Sequence, residues 1–188
     1  MSEEKKPVDD QSELTEVLTD ESKLFHPSEE FVKNANIKSW DDEIAKAEKD
    51  HEGYWGDVAK ELEWAKPWKK VHQVKKKYFH NWFVGSKCNI FINALERHQK
   101  TDVKDKTAII YEQEGGKKEQ YTYEELYIEV NKLAAAFKKL GLKKGDRVAV
   151  YMPNIPKTAM TMLACAKLGL LHSVVYAGYS HMALRDRI

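Results

Sequence analysis

The sequence predicts an α/β fold: a helical and extended N-terminal region, then a β-hairpin and the first β-α-β unit of a larger domain. Three observations carry this reading. Arg147–Met152 is a short β-branched and aromatic run after a Gly-Asp turn, Pro156–Leu168 has the length and composition of a helix, and residues 173–176 are a second apolar run. Two short apolar strands joined by one helix pair in parallel with a right-handed crossover. The loop leaving the second strand then opens at the carboxyl edge of the sheet, where ligands of α/β folds usually bind.

Residues 1–22 are dominated by Glu, Asp, Ser, Thr and Lys, with only Val8, Leu14, Val17 and Leu18 as apolar anchors. So little buried area does not offset roughly 1–2 kcal/mol per residue of backbone ordering, so a disordered arm is expected, with a short helix over 13–18 as the alternative. Ser39 followed by Asp42 predicts a helix start, with Trp40, Ile44 and Ala47 at helical spacing. A second helix over 51–63 presents Tyr54, Trp55, Val58, Ala59 and Leu62 and ends before Pro67. Aromatics at this spacing could face a sugar or a membrane, but the commoner use is core, which is the reading adopted.

Residues 66–83 interleave Lys66, Lys69, Lys70, Lys75, Lys76 and Lys77 with Trp68, Tyr78, Phe79 and Trp82. Basic residues beside stacking aromatics suit a single-strand nucleic-acid groove. An extended arm that wraps a larger domain, aromatics inward and lysines outward, gives the same composition, and the net charge of +1 favours it. Asn89 caps a helix over 90–99 whose Ile90, Phe91, Ala94, Leu95 and His98 form one stripe. With no second ligand at metal spacing, His98 is read as structural, as are His72, His80, His172 and His181.

Thr107–Glu112 and residues 118–123 flank Gly115-Gly116, a hairpin signal. Thr122 with Glu125 is a capping box for a helix over 123–140 that turns Leu126, Val130, Leu133, Ala134, Phe137 and Leu140 inward and stops at Gly141. The Gly141 to Gly145 interval encloses Leu-Lys-Lys, so it is a helix stop and a turn rather than a membrane dimer motif.

Charged residues make up 32% of the 188-residue chain against an average of about 25%, and apolar residues 42%. Two widely spaced cysteines, Cys88 and Cys165, indicate neither a disulfide framework nor a zinc site. No secretory signal and no 18-residue apolar run are visible, so a cytoplasmic protein with no membrane and no nucleic-acid partner is expected.

Several segments together resemble the amino-terminal third of the AMP-forming acetyl-coenzyme A synthetases, within the acyl-adenylate-forming superfamily. They are Trp82-Phe-Val-Gly, residues 89–98, Thr107-Ala-Ile-Ile-Tyr-Glu, Tyr121-Thr-Tyr-Glu-Glu-Leu, Gly145-Asp-Arg-Val-Ala-Val-Tyr-Met-Pro-Asn, Met162-Leu-Ala-Cys-Ala-Lys-Leu-Gly and His172-Ser-Val-Val-Tyr-Ala-Gly-Tyr-Ser. They run in order over residues 25–188, which is more specific than any one short motif. The resemblance implies 23–100 as a helical and wrapping N-terminal region and 101–188 as the start of the adenylate-forming domain. It implies ATP, Mg²⁺ and coenzyme A in the complete enzyme, with acetate or another short-chain acid as substrate. The 188 residues hold no Gly/Ser/Thr-rich phosphate loop. The resemblance places that loop, the catalytic residues and the acyl pocket after Ile188, so no catalytic and no metal-binding residue is assigned here and the chain alone is expected to be inactive.

In such enzymes the loop after the second strand, usually Phe-Gly-Gly, lies against the nucleotide end of coenzyme A. The matching positions are Tyr176, Ala177 and Gly178, of which Ala177 departs from the pattern. The alternative is a strand-to-helix turn in which Gly178 serves geometry and Ser180 caps the next helix. Arg185 and Arg187 could meet phosphates or simply complement that helix's dipole. The partner expected is the downstream remainder of the synthetase, in cis or in trans. A subunit of a split synthetase, a pseudo-enzyme adapter and, less favoured, a nucleic-acid binder are the other readings.

Overall fold

The computed structural model describes residues 24–188, so the arm expected over 1–22 lies outside the described residues. The chain divides into two compact units, Met1–Lys49 and Asp50–Ile188. In the first, α1 (Glu29–Asn34) starts at Ser28, whose hydroxyl accepts from the Phe31 N–H at 3.2 Å. Helix α2 (Trp40–Lys49) starts at Ser39, which accepts from the Asp42 N–H at 3.2 Å, as the Ser39/Asp42 spacing predicts. Asp41, Asp42 and Glu43 sit in its first turn and Lys46 and Lys49 in its last, each sign at the favourable end of the dipole.

The second unit opens with α3 (His51–Ala59), whose Asp50 cap accepts from the Gly53 N–H at 2.9 Å. The helix ends four residues before the predicted 63 because side chains from elsewhere take its last backbone groups. Asn93 donates to the Glu63 carbonyl at 3.0 Å and accepts from its N–H at 2.8 Å, and Arg97 donates to the Glu61 carbonyl. The inward aromatic face is only partly realised: Ala59 is buried, while Trp55, Val58 and Leu62 stay exposed.

The segment expected as an extended arm folds back on itself as an antiparallel pair, β1 (Lys70–Lys76) and β2 (Phe79–Val84), with His72 opposite Trp82 and Val74 opposite His80. Lys69, Lys70, Lys75, Lys76 and Lys77 do face outward, but so do Tyr78 and Phe79 at the tip. Phe83 holds a left-handed backbone, φ 48°, which costs a bulky residue energy. Its ring lies 5.1 Å from Trp64 and 5.3 Å from Trp68, and this packing offsets the cost.

Asn89 caps α4 (Ile90–Ala94), accepting from the Phe91 N–H at 2.8 Å. The helix predicted over 90–99 breaks at Leu95, φ −132°, and continues as two 3₁₀ turns, Glu96–Lys100 and Asp102–Asp105. Strands β3 (Thr107–Glu112) and β4 (Lys118–Thr122) form the predicted hairpin, with Gly116 at φ 79° in its turn. Helix α5 (Tyr123–Lys139) carries the full capping box: the Glu125 N–H donates to Thr122 Oγ1 at 3.1 Å and the Thr122 N–H to Glu125 Oε2 at 2.8 Å. Gly141, φ 89°, ends it, with the Leu142 N–H on the Phe137 carbonyl at 3.1 Å and the Gly141 N–H on that of Lys138 at 3.0 Å. That pair of bonds is a Schellman motif.

The β-α-β unit is as predicted. β5 (Arg147–Met152) and β6 (Leu171–Tyr176) pair in parallel without a register shift, joined by α6 (Pro156–Leu168), although β6 begins two residues earlier than its apolar run. A five-residue helix, α7 (His181–Arg185), follows. The core is helical: Phe91 and Leu95, Leu126, Val130 and Ala134 of α5, and Met160 and Ala164 of α6. The Asn89 amide ties the first of these segments to the third by donating to the Ala166 carbonyl at 3.0 Å. The core thereby fixes where β5 and β6 deliver the chain.

Candidate functional site

Between the end of β6 and the start of α7 the chain makes one tight turn. The Tyr179 N–H donates to the Tyr176 carbonyl at 3.0 Å, so residues 176–179 form a hydrogen-bonded β-turn, and Ser180 then caps α7 by accepting from the Ala183 N–H at 3.3 Å. All three predicted site residues, Tyr176, Ala177 and Gly178, lie on this turn. Tyr176 is 63% exposed, and its ring meets that of Tyr179 edge-on with centroids 5.8 Å apart.

Gly178 has a local reason to be glycine: a Cβ there would lie 2.5 Å from Cε1 of the Tyr176 ring. Arg187 lies over the Tyr179 ring at 4.8 Å and donates to the Ala183 carbonyl at 2.7 Å, while Arg185 pairs with Asp186 at 3.0 Å. Both arginines are thus engaged at the end of α7, the dipole-complementing arrangement.

Tyr151 was not singled out by the sequence. It stands on β5 opposite Val175, one pair before the strands end, and its hydroxyl reaches two carbonyls of the turn, Ala177 at 3.0 Å and Tyr179 at 2.9 Å. The available signal was positional: in a parallel pair of equal register, a tyrosine near the end of the first strand can reach the loop that leaves the second.

Three of the histidines read as structural, His72, His80 and His98, contact other side chains. His72 Nε2 and His80 Nδ1 hydrogen-bond to each other at 2.8 Å, and His98 packs edge-on against Tyr123 at 5.4 Å. Among the described residues no group of three or more His, Cys, Asp or Glu is placed to hold a metal ion, and no helix is long and apolar enough to cross a membrane. Both cysteines are free thiols, and burial pushes that of Cys165 up from its ordinary pKa. An open groove of about 470 Å³ runs along Gln120, Tyr121, Glu125, Ile128, Glu129, Lys132 and Lys157. Both of its lysines already pair with Glu129, Lys132 at 2.8 Å and Lys157 at 2.9 Å.

A parallel β-α-β unit that presents a glycine turn at its carboxyl edge places the fold in the α/β class. Within that class, residues 95–188 match the family model described as AMP-binding enzyme, and the chain belongs to this family. Residues 40–94 match the model described as acetyl-coenzyme A synthetase N-terminus. The chain is 47% identical over 175 residues to the acetyl-coenzyme A synthetase of Wolinella succinogenes, covering 90% of this chain and 27% of that one. It is 44% identical over 181 residues to that of Helicobacter pylori strain P12, covering 94% and 27%. The chain therefore spans about a quarter of the length of these relatives. Among solved structures, the acetoacetyl-CoA synthetase of Streptomyces lividans superposes with a TM-score of 0.72 at 24% identity, over 86% of this chain and 28% of that chain, which supports the fold.

Proposed function

We propose that these residues are the N-terminal portion of a ligase that converts acetate, ATP and coenzyme A into acetyl-coenzyme A, AMP and pyrophosphate through acetyl-AMP. The observation that carries this reading is the 47% identity to an acetyl-coenzyme A synthetase across 90% of the chain.

Forming the adenylate requires attack of a carboxylate on the α-phosphorus of ATP, and the charge that develops there needs Mg²⁺, a cationic side chain and backbone N–H groups. The chain matches about a quarter of the length of its synthetase relatives, and the sequence holds no Gly/Ser/Thr-rich phosphate loop. In this reading ATP and Mg²⁺ are bound by the remainder of the synthetase, supplied in cis or in trans. Residues 23–100 serve as the N-terminal region and 101–188 as the start of the adenylate-forming domain, in a cytoplasmic enzyme. Tyr176, Ala177 and Gly178 form part of the surface that meets the nucleotide end of coenzyme A. Two features support that role: the turn is exposed, and it has no side chain at Gly178.

Assayed alone with ATP, Mg²⁺ and acetate, the chain is expected to show no acetate-dependent pyrophosphate exchange. Substituted for the aligned segment of the Wolinella succinogenes synthetase, it is expected to retain that exchange and acetyl-coenzyme A formation. Exchange by the chain alone would refute the placement of adenylation outside it. A folded chimera that activates no acetate would remove the ligase reading.

A further inference from the structure

We propose that Tyr151 is a positioning residue for coenzyme A: its hydroxyl locks the Ala177–Gly178 peptide so that the Gly178 N–H faces outward to donate to an oxygen at the nucleotide end of that substrate. The inference rests on the coenzyme A reading of the turn given above.

In a β-turn over residues 176–179 the central peptide joins Ala177 to Gly178, and turn types I and II differ by a flip of that peptide. Glycine at the third position makes the flip easy, since type II needs a positive φ there that glycine adopts without penalty. Gly178 is nevertheless not among the glycines with positive φ, so the turn stands in the unflipped state. Among the described residues, the one side chain that bonds the central peptide is Tyr151, whose hydroxyl proton is shared between the carbonyls of Ala177 at 3.0 Å and Tyr179 at 2.9 Å. A trans planar peptide points its C=O and N–H in opposite directions. With the Ala177 oxygen held toward Tyr151, the Gly178 N–H points away from it, and it has no acceptor among the described residues. The Tyr176 carbonyl is meanwhile occupied by the Tyr179 N–H at 3.0 Å. The outer side of the turn thus offers a donor with nearby acceptors withdrawn, which suits an oxygen-rich group such as a phosphate or ribose. If the hydroxyl is lost, the flip turns a carbonyl outward and repels the same group.

The test is Tyr151→Phe in the full-length synthetase carrying these residues, which removes one oxygen and leaves the ring. The apparent KM for coenzyme A should rise roughly three- to tenfold, the worth of one hydrogen bond, with the KM values for ATP and acetate unchanged. Acetate-dependent pyrophosphate exchange, which needs no coenzyme A, serves as the folding control. An unchanged coenzyme A KM, or a parallel loss in both half-reactions, overturns the positioning role. Absence of exchange in the unsubstituted enzyme instead overturns the ligase reading, and this inference falls with it.

Discussion

Helix α5 fully buries three of its apolar residues and strand β6 only one, although Leu140, expected inward at the end of α5, is 78% exposed. Leu126, Val130 and Ala134 of α5 are closed in by Phe91, Leu95, Met160 and Ala164. On β6, Val175 is buried while Leu171 is 61% and Val174 47% exposed. Periodicity decides which way a side chain points, and burial then depends on a second surface to meet it. Parallel strands are normally covered on both faces and paired on both edges. Among the described residues β6 has β5 on one edge and no strand on the other. The chain covers about a quarter of its synthetase relatives, so the remainder of such an enzyme is the cover we propose for that strand.

The largest effect expected from this contrast is on core substitutions. Met160→Ala removes a fully buried side chain from the contact of α6 with α5 and should lower the free energy of unfolding by about 2–5 kcal/mol. Leu171→Ala on the exposed strand should change it by no more than about 0.5 kcal/mol. Urea unfolding of the two variants measures both. Equal losses would mean that β6 is as well supported as α5 and that the contrast is only apparent.

What was legible before the structure follows the same division. The Thr122/Glu125 capping box, the Gly115-Gly116 hairpin, the Gly141 stop and the β-α-β order are written in residues within a few positions of the feature they set. The β1–β2 hairpin was not, because its turn at Lys77-Tyr78 contains no Gly, Asn, Asp or Pro and its pairing shifts between Val74 and Lys76. The early ends of α3 and α4 were missed for a related reason: Asn93 and Arg97 claim the backbone of 61–63 across about thirty residues of sequence, and Leu95 leaves helical geometry within the core. At the candidate site the turn and its glycine were legible, whereas Tyr151, 26 residues before the carbonyl it binds, was not.

A middle-sized effect sharpens the comparison from the helix side. The Thr122 hydroxyl accepts from the Glu125 N–H, one of the donors left open at the start of α5, and the Glu125 carboxylate accepts from the Thr122 backbone N–H in return. Thr122→Ala should cost about 1 kcal/mol, and Thr122→Ser should recover most of it. Thermal unfolding of the two variants separates the hydroxyl from the methyl. A loss that serine does not recover would assign the effect to packing of the threonine methyl instead.

The smallest effect comes from the ion pairs of Glu129 over the open groove, one within α5 to Lys132 and one linking α5 to Lys157 of α6. Glu129 receives Lys132 at 2.8 Å and Lys157 at 2.9 Å, and the hydrogen bonds from these two lysines hold its carboxyl at about 2, below the usual carboxylate value of 4.5. Lys157 is raised in turn, first by its hydrogen bond to Glu129. A carboxyl whose folded pKa is depressed contributes stability that is present above its unfolded value and is lost as pH falls through the folded one. The Glu129 contribution should therefore be complete above about pH 5 and fade between pH 4.5 and 2, a window set by the two values above. The raised Lys157 has the opposite sense: its share is present below the ordinary lysine value of 10.5 and is lost as pH rises beyond it. Because the groove is open, solvent and salt screen both. Glu129→Gln should lower the melting temperature slightly at pH 7 in low salt, and the gap from the parent chain should close near pH 2 and shrink in 1 M NaCl. A gap that stays constant across that range would show that Glu129 holds the helices together by shape and hydrogen bonding, without help from its charge.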